Sequence, residues 1–313
     1  MLKATGTVGK RRALLEEKKR WHKGWPYVVL LLPALVYVLV FCYQPMYGLL
    51  IAFKTYRVKL GILGSPWTGL DHFIRFFSYP DFWRLVKNTL TISLYQLATF
   101  PIPILLALML NELRKQKLKN VAQMITYAPH FISTVVVCSM LTLFLDSDVG
   151  IINRIIELLG GTKSDLLSQP QHFAAILVWS DVWQNTGWNM VIYLAALAGV
   201  PTDCIEAAEI DGANRLQIIR HVNIPHIMPT VIIMLILNMG KVMNIGYEKI
   251  MLLQNPLNLD VSQIIPTYIY EIGIQGGQFS YATAIGLVNS VVNVILVFAV
   301  NLIAEKVSET SLW

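Results

Sequence analysis

The chain has 313 residues, of which 55% are hydrophobic and only 14% charged. Soluble domains carry nearer a quarter charged residues, so the deficit excludes an ordinary soluble protein and points to several membrane spans. A net charge of +6 is no nucleic-acid signal here, because Lys and Arg gather just before the first apolar run, where the positive-inside rule places them.

Residues 1–24 form a basic tail with Lys10, Arg11, Arg12, Lys18, Lys19, Arg20 and Lys23. A cleaved signal peptide needs a short apolar core and a small-residue cleavage site. The run from Trp25 to Phe53 is too long and lacks such a site, so it reads as an uncleaved first span with its amino end in the cytoplasm. A span needs about 20 apolar residues to cross roughly 30 Å of hydrocarbon. That criterion predicts helices near 26–50, 86–110, 121–145, 172–198, 227–247 and 283–303. Pro33 and Pro45 in the first, and Pro101 and Pro103 in the second, predict kinks packed against neighbours. Six spans put both termini on one side, and 15 of the 25 Lys and Arg fall on that side.

The opposite side holds 54–84, 146–170 and 248–282, rich in Trp, Tyr, Phe and Pro. Within it, VGIINRIIELLG (149–160) reads as a short amphipathic helix on the outer surface. The approach to the last span, IIPTYIYEIGIQGGQFSYATA, reads equally as a surface helix or a re-entrant one. Cys42, Cys138 and Cys204 are scattered and form no disulfide framework. The six histidines show no metal spacing, and neither HExxH nor GxSxG is present. No repeat of 20–50 residues is visible.

Residues 201–229 stand apart. Asp203, Glu206, Glu209, Asp211, Arg215 and Arg220 sit between two apolar runs that carry no charge. At roughly 2.5–3.5 kcal/mol per ionised side chain at the bilayer centre, the stretch must lie in water. Pro201 ends the fourth span. Asp203 reads as a helix N-cap with Glu206 three residues on, and Asp211-Gly212 as the helix end with a left-handed glycine. A second helix runs from about Ala213 to Asn223, with Pro225 stopping it before the fifth span. Two short helices joined at a glycine are unstable alone. They read either as an ordinary loop or as an elbow that docks into a partner.

EAAEIDGANRLQIIRHVNIPHIMP resembles the EAA loop of type I ABC importer permeases, in which Glu-Ala-Ala, a downstream Gly and a later Pro recur. Glu206, Ala207, Ala208, Gly212 and Pro225 match that pattern, and Asp211 and Ala213 match its sugar-permease form. Ile219 stands where sugar permeases often carry an aromatic residue. The stretches LPALVYVLVFCYQPMYG, WQNTGWNMVIYLAALAGVP and SQIIPTYIYEIGIQGGQFSYATAIGL resemble permeases for sugars and for polysaccharide-derived, aldouronate-type oligosaccharides. The resemblance covers nearly all of the chain beyond the first 24 residues. It implies an all-α integral membrane protein with the six-helix type I (MetI-like) permease fold. Residues 25–305 would form the permease domain, and 1–24 and 306–313 cytoplasmic tails. It also implies a bacterial plasma-membrane location, a second homologous permease, two ATP-binding cassette subunits docked at the elbow, and an extracytoplasmic binding protein. ATP and Mg would sit on the ATPases and no cofactor on this chain. In agreement, the sequence has no GxxxxGK[ST].

Intramembrane polar residues are expensive and mark candidate substrate positions. In the fourth span Asp181, Gln184, Asn185 and Trp188 share one helical face, with Trp183 beside it. In the fifth, Asn238, Lys241, Asn244 and Glu248 share a face by the same period. Amides, carboxylates and flat rings suit a sugar, and Lys241 suits an acidic one. The same residues also fit purely interhelical hydrogen bonds with an Asp181–Lys241 ion pair, and Trp179 and Trp183 fit an interfacial belt. An ion-gradient-driven secondary transporter is the alternative; it would carry inverted repeats and a buried coupling carboxylate, for which Asp181 is the candidate.

Overall fold

The computed structural model describes residues 25–244 and 246–308. The basic tail 1–24, and residues 309–313 of the C-terminal tail, lie outside the described residues. The chain divides into two units, residues 1–69 and 70–313.

In the first unit, helix α1 (Trp25–Phe53) is long and apolar enough to cross a membrane. Its winding changes from α to π over Val38–Tyr43 and then to 3₁₀ over Gln44–Phe53. Pro45 opens the 3₁₀ stretch, where its missing N–H costs least. Side chains from Trp25 to Tyr47 are all exposed, an apolar surface suited to lipid or a neighbouring subunit. Residues 54–69 then fold back on the helix end. Thr68 and Gly69 N–H groups donate to the Phe53 carbonyl at 2.9 and 3.1 Å, and the Phe53 and Trp67 rings stack at 5.7 Å. Lys54 Nζ donates to the Ile62 and Leu63 carbonyls at 2.9 and 3.0 Å, closing the turn.

The second unit is helical throughout. The short helix α2 (Asp71–Phe77) precedes α3 (Phe82–Asn111), which passes Pro101 with one tightened turn at Thr99–Phe100. Next come α4 (Gln116–Phe131) and α5 (Thr134–Leu145), then α6 (Ile151–Leu158) and the long α7 (Pro170–Leu197). The elbow helix α8 (Thr202–Ile210) leads into α9 (Arg215–Met239). The chain continues through α10 (Tyr247–Leu253) and α11 (Ile265–Tyr270) to the last span, α12 (Phe279–Ser308). Among the described residues four helices are long and apolar enough to cross a membrane, and counting each of two bent pairs as one span gives six.

Three expectations about these elements change. The third span is two helices: α4 and α5 meet at 93°. Pro129 tightens Ala128–Phe131 into 3₁₀ winding, Ile132 leaves the helical region, and Ser133 caps α5 by accepting from the Val136 N–H. The fifth span starts in the elbow rather than after Pro225. A π turn over Ile219–Asn223, with Ile224 N–H bonded to the Ile219 carbonyl, shifts the ladder just before the proline, and the helix runs on. It ends at Met239, not near 247. The approach to the last span is not a surface helix. It is the short α11 with a π turn over Glu271–Gln275, and Ile265, Thr267 and Tyr268 are buried.

Lipid offers helices no hydrophobic drive to associate, so close packing and interhelical hydrogen bonds hold such a bundle. One buried cluster joins Ala107, Leu108 and Leu110 of α3 with Met190, Tyr193 and Leu197 of α7 and Ile227 of α9. A second gathers Ile92, Cys138, Phe173, Leu177, Ile250 and Leu253, so α10 packs among α3, α5 and α7. Asn88 Nδ2 donates to the Asp260 and Gln263 carbonyls at 2.8 and 3.0 Å, tying the start of α3 to the segment before α11. The expected amphipathic helix is α6. Its Asn153 is fully buried and holds the surrounding loop, while Leu158 is 85% exposed.

Candidate functional site

Helix α7 is continuous, so Asp181, Gln184, Asn185 and Trp188 do lie along one face. The backbone of α4 presses against this face at Gly187, where a Cβ would meet the Thr126 carbonyl oxygen at 1.9 Å. Gln184 Nε2 donates to the Ile132 carbonyl at 2.9 Å, satisfying a group freed by the α4–α5 break. Asn185 Nδ2 donates to Asp181 Oδ1 at 2.8 Å, so its Oδ1 accepts from His130 Nδ1 at 3.0 Å. The His130 ring lies flat on Trp188, centroids 4.6 Å apart and planes 7° apart. Trp183 is half exposed and reaches neither the stack nor the cavities described next.

Asp181 is the node. Its Oδ2 accepts from Gln96 Nε2 of α3 at 2.7 Å, and its Oδ1 accepts from Asn185 and, at 3.4 Å, from Lys249 Nζ of α10. The expected Asp181–Lys241 pair is therefore replaced by Asp181–Lys249. Lys249 lies inside the apolar run after Gly246, whose φ of +71° lets the chain turn back into the bundle. Lys241 is exposed, and among the described residues it forms no ion pair.

Two cavities flank Asp181. One of about 320 Å³ is also lined by Gln96, Asn189, Tyr193, Asn238 and Lys241. The other, of about 490 Å³, is lined by His130, Gln184, Asn185, Asn244, Glu248 and Lys249. The expected single face of Asn238, Lys241, Asn244 and Glu248 does not exist, because α9 stops at Met239 and Glu248 belongs to α10. Asn244 instead accepts from Asn289 of α12 at 2.7 Å. The structure thus divides these residues between two cavities that share the Asp181 carboxylate. Gln96, His130 and Lys249 escaped the sequence reading. Of the three only Lys249 carries a signal, a lysine within the apolar stretch IGYEKIMLL.

At the other end of α7, α8 turns off at 76°. Its N-cap is Pro201, and the expected Asp203 cap is not formed: the helix starts at Thr202, leaving Asp203 in the first turn, where it still faces the positive helix end. Glu206, Ala207, Asp211 and Gly212 are exposed, Ala208 and Ala213 partly so, and Ile210 is 85% exposed. Gly212 ends the helix with φ +78°. Asn214 and Gln217 form a reciprocal capping box that starts α9, and Arg215 anchors the elbow to Glu112 at the end of α3, 3.8 Å away. Pro225 is exposed within the continuous α9.

Residues 99–309, from the second half of α3 to the end of α12, match the family model for the inner-membrane component of binding-protein-dependent transport systems. The chain belongs to that family. Protein LplB of Bacillus subtilis (strain 168) is 44% identical over 98% of this chain and 96% of its own. The polygalacturonan/rhamnogalacturonan transport system permease protein YteP of the same organism is 42% identical over 91% and 89%. Among solved structures, a chain of a bacterial ABC transporter involved in importing the acidic polysaccharide alginate superimposes with a TM-score of 0.86. That chain is 36% identical, over 94% of this chain and 99% of its own. Membership makes this protein a multi-pass membrane permease of a binding-protein-dependent ABC importer, and the ion-gradient alternative falls away.

Proposed function

We propose that this permease forms one half of the translocation path for oligosaccharides that carry carboxylates, paired with a second, homologous permease. The observation that carries the reading is the pair of cavities around Asp181, each lined by one lysine and several amides. Amides and carboxylates suit sugar hydroxyls, and a lysine suits an acidic group. A polygalacturonan permease and an importer of acidic alginate among its relatives support the same substrate class.

Energy enters through the elbow. Glu206, Ala207, Ala208, Asp211, Gly212 and Ala213 offer an exposed, small-residue surface with uncovered Ile210, and two ATP-hydrolysing subunits would seat on it. ATP and Mg belong to those subunits, and this chain binds no cofactor and performs no chemistry. Elbow and termini face the cytoplasm, and the other side receives substrate from an extracytoplasmic binding protein. A solved alginate importer in complex with a pentasaccharide-bound periplasmic protein supports that partner.

The test is reconstitution with the candidate partner subunits in vesicles, reading ATP hydrolysis with and without sugar-loaded binding protein. Stimulation is expected, with loss in Glu206→Ala. No stimulation, or a Glu206→Ala variant with full uptake, would sink the reading.

A further inference from the structure

The two charges of the Asp181–Lys249 pair are unequally provided for. Both oxygens of Asp181 have short partners that are not lysine, Gln96 at 2.7 Å and Asn185 at 2.8 Å. Lys249 has one long contact, 3.4 Å to Asp181, for an ammonium with three donors, and among the described residues no other. Its side chain is only 5% exposed, and a buried cation with unfilled donors is costly. It borders the cavity of about 490 Å³, beside Gln184, Asn185 and Asn244.

We infer that Lys249 is the residue that selects carboxylate-bearing substrate, with Asp181 standing in for the substrate carboxylate while the cavity is empty. The inference rests on the acidic-oligosaccharide reading above and names the group that enforces it. An incoming carboxylate takes over the ammonium, and Asp181 stays held by Gln96 and Asn185, so exchange strands neither charge. A neutral hydroxyl accepts from the ammonium but brings no opposite charge, so it does not displace Asp181. Lys241 is a weaker selector. It is exposed on the other cavity, and a hydrated, mobile ammonium discriminates little between a carboxylate and water.

The experiment uses the complete reconstituted importer and two probes, trigalacturonate and its methyl ester, supplied together, reading the acid-to-ester uptake ratio. Lys249→Gln should lower the ratio at least ten-fold, Lys249→Arg should retain most of it, and Lys241→Gln should change it less than three-fold. Asp181→Asn, which keeps size and hydrogen bonding, should raise it by unmasking the lysine. The double variant Asp181→Asn with Lys249→Gln leaves no unpaired buried charge and should show the same low ratio as Lys249→Gln. A high ratio that persists in Lys249→Gln or in the double variant overturns this proposal alone, as does an unchanged or lower ratio in Asp181→Asn. A wild-type ratio near one, or no uptake of either probe, overturns the acidic-substrate reading and this proposal with it.

Discussion

Gly187 of α7 sits so close to Thr126 of α4 that a Cβ would lie 1.9 Å from the Thr126 carbonyl oxygen and 2.4 Å from its carbon. The neighbour is backbone, so no side chain can turn aside to relieve the clash. This contact brings His130 onto Trp188 and within reach of Asn185. Gly187→Ala should therefore cost about 2–3 kcal/mol through overpacking and lower the melting temperature of the purified protein. Gly286→Ala is the control: a Cβ there meets nothing within 4 Å, and helix propensity favours alanine by up to about 1 kcal/mol. Equal melting temperatures for the two variants would contradict the close contact.

Asn153 holds the loop between α5 and α7 together. Its Nδ2 faces the carbonyls of Leu145, Asp146 and Ser164 at 2.9–3.0 Å, and its Oδ1 accepts from Ser164 N–H at 3.1 Å. The side chain is fully buried, so Asn153→Ala leaves buried backbone groups unsatisfied at about 1–3 kcal/mol each. The expected result is faster proteolytic cleavage between residues 159 and 169 in the folded protein. A cleavage rate equal to wild type would show that the loop holds without it.

Acid should open the turn after α5. Asp146 accepts from the Val149 and Asp148 N–H groups, at 2.9 and 2.8 Å, and these bonds hold its carboxyl below the usual range. A depressed carboxyl contributes stability that is present above its ordinary value, near about pH 4, and lost as pH falls through the depressed one. Amide exchange at Val149, taken relative to the random-coil rate at each pH, should be protected near neutrality and lose protection in acid. Asp146→Asn should flatten that dependence. An identical profile in the variant would refute the assignment.

The sequence reveals most of the spans because the bilayer imposes a length and a polarity that apolar runs cannot hide. The elbow is legible for a similar reason, since six charges between apolar runs must lie in water, and Gly212 shows its left-handed turn because few other residues tolerate it. What stays hidden is set by tertiary contact. The 93° break at Ile132–Ser133 lies inside an apolar run with only Pro129 to announce it, and the side chain that satisfies the freed Ile132 carbonyl is Gln184, 52 positions away. Helical periodicity carries Asn238 through Glu248 along one face, although Gly240 directly follows the end of α9 at Met239. Pairing Asp181 with Lys241 rather than Lys249 follows from that same error, since a span drawn to residue 247 leaves Lys249 in a loop.

The elbow offers the sharpest separation of folding from coupling. At Gly212 a Cβ would meet no atom within 4 Å, so a substitution there meets only the backbone cost of φ +78°, about 1–2 kcal/mol for alanine. The strain is local, because the spans on either side pack through other residues. Gly212→Pro adds a second effect: its ring fixes φ near −65° and removes the N–H that donates to the Glu209 carbonyl at 3.1 Å. Both variants should insert in the membrane at wild-type levels. Stimulation of ATP hydrolysis by loaded binding protein should fall modestly in Gly212→Ala and vanish in Gly212→Pro. Asn214→Ala removes the cap on α9, at about 1 kcal/mol, and should fall between them. Full stimulation in Gly212→Pro, with normal insertion, would mean that the push does not pass through this turn.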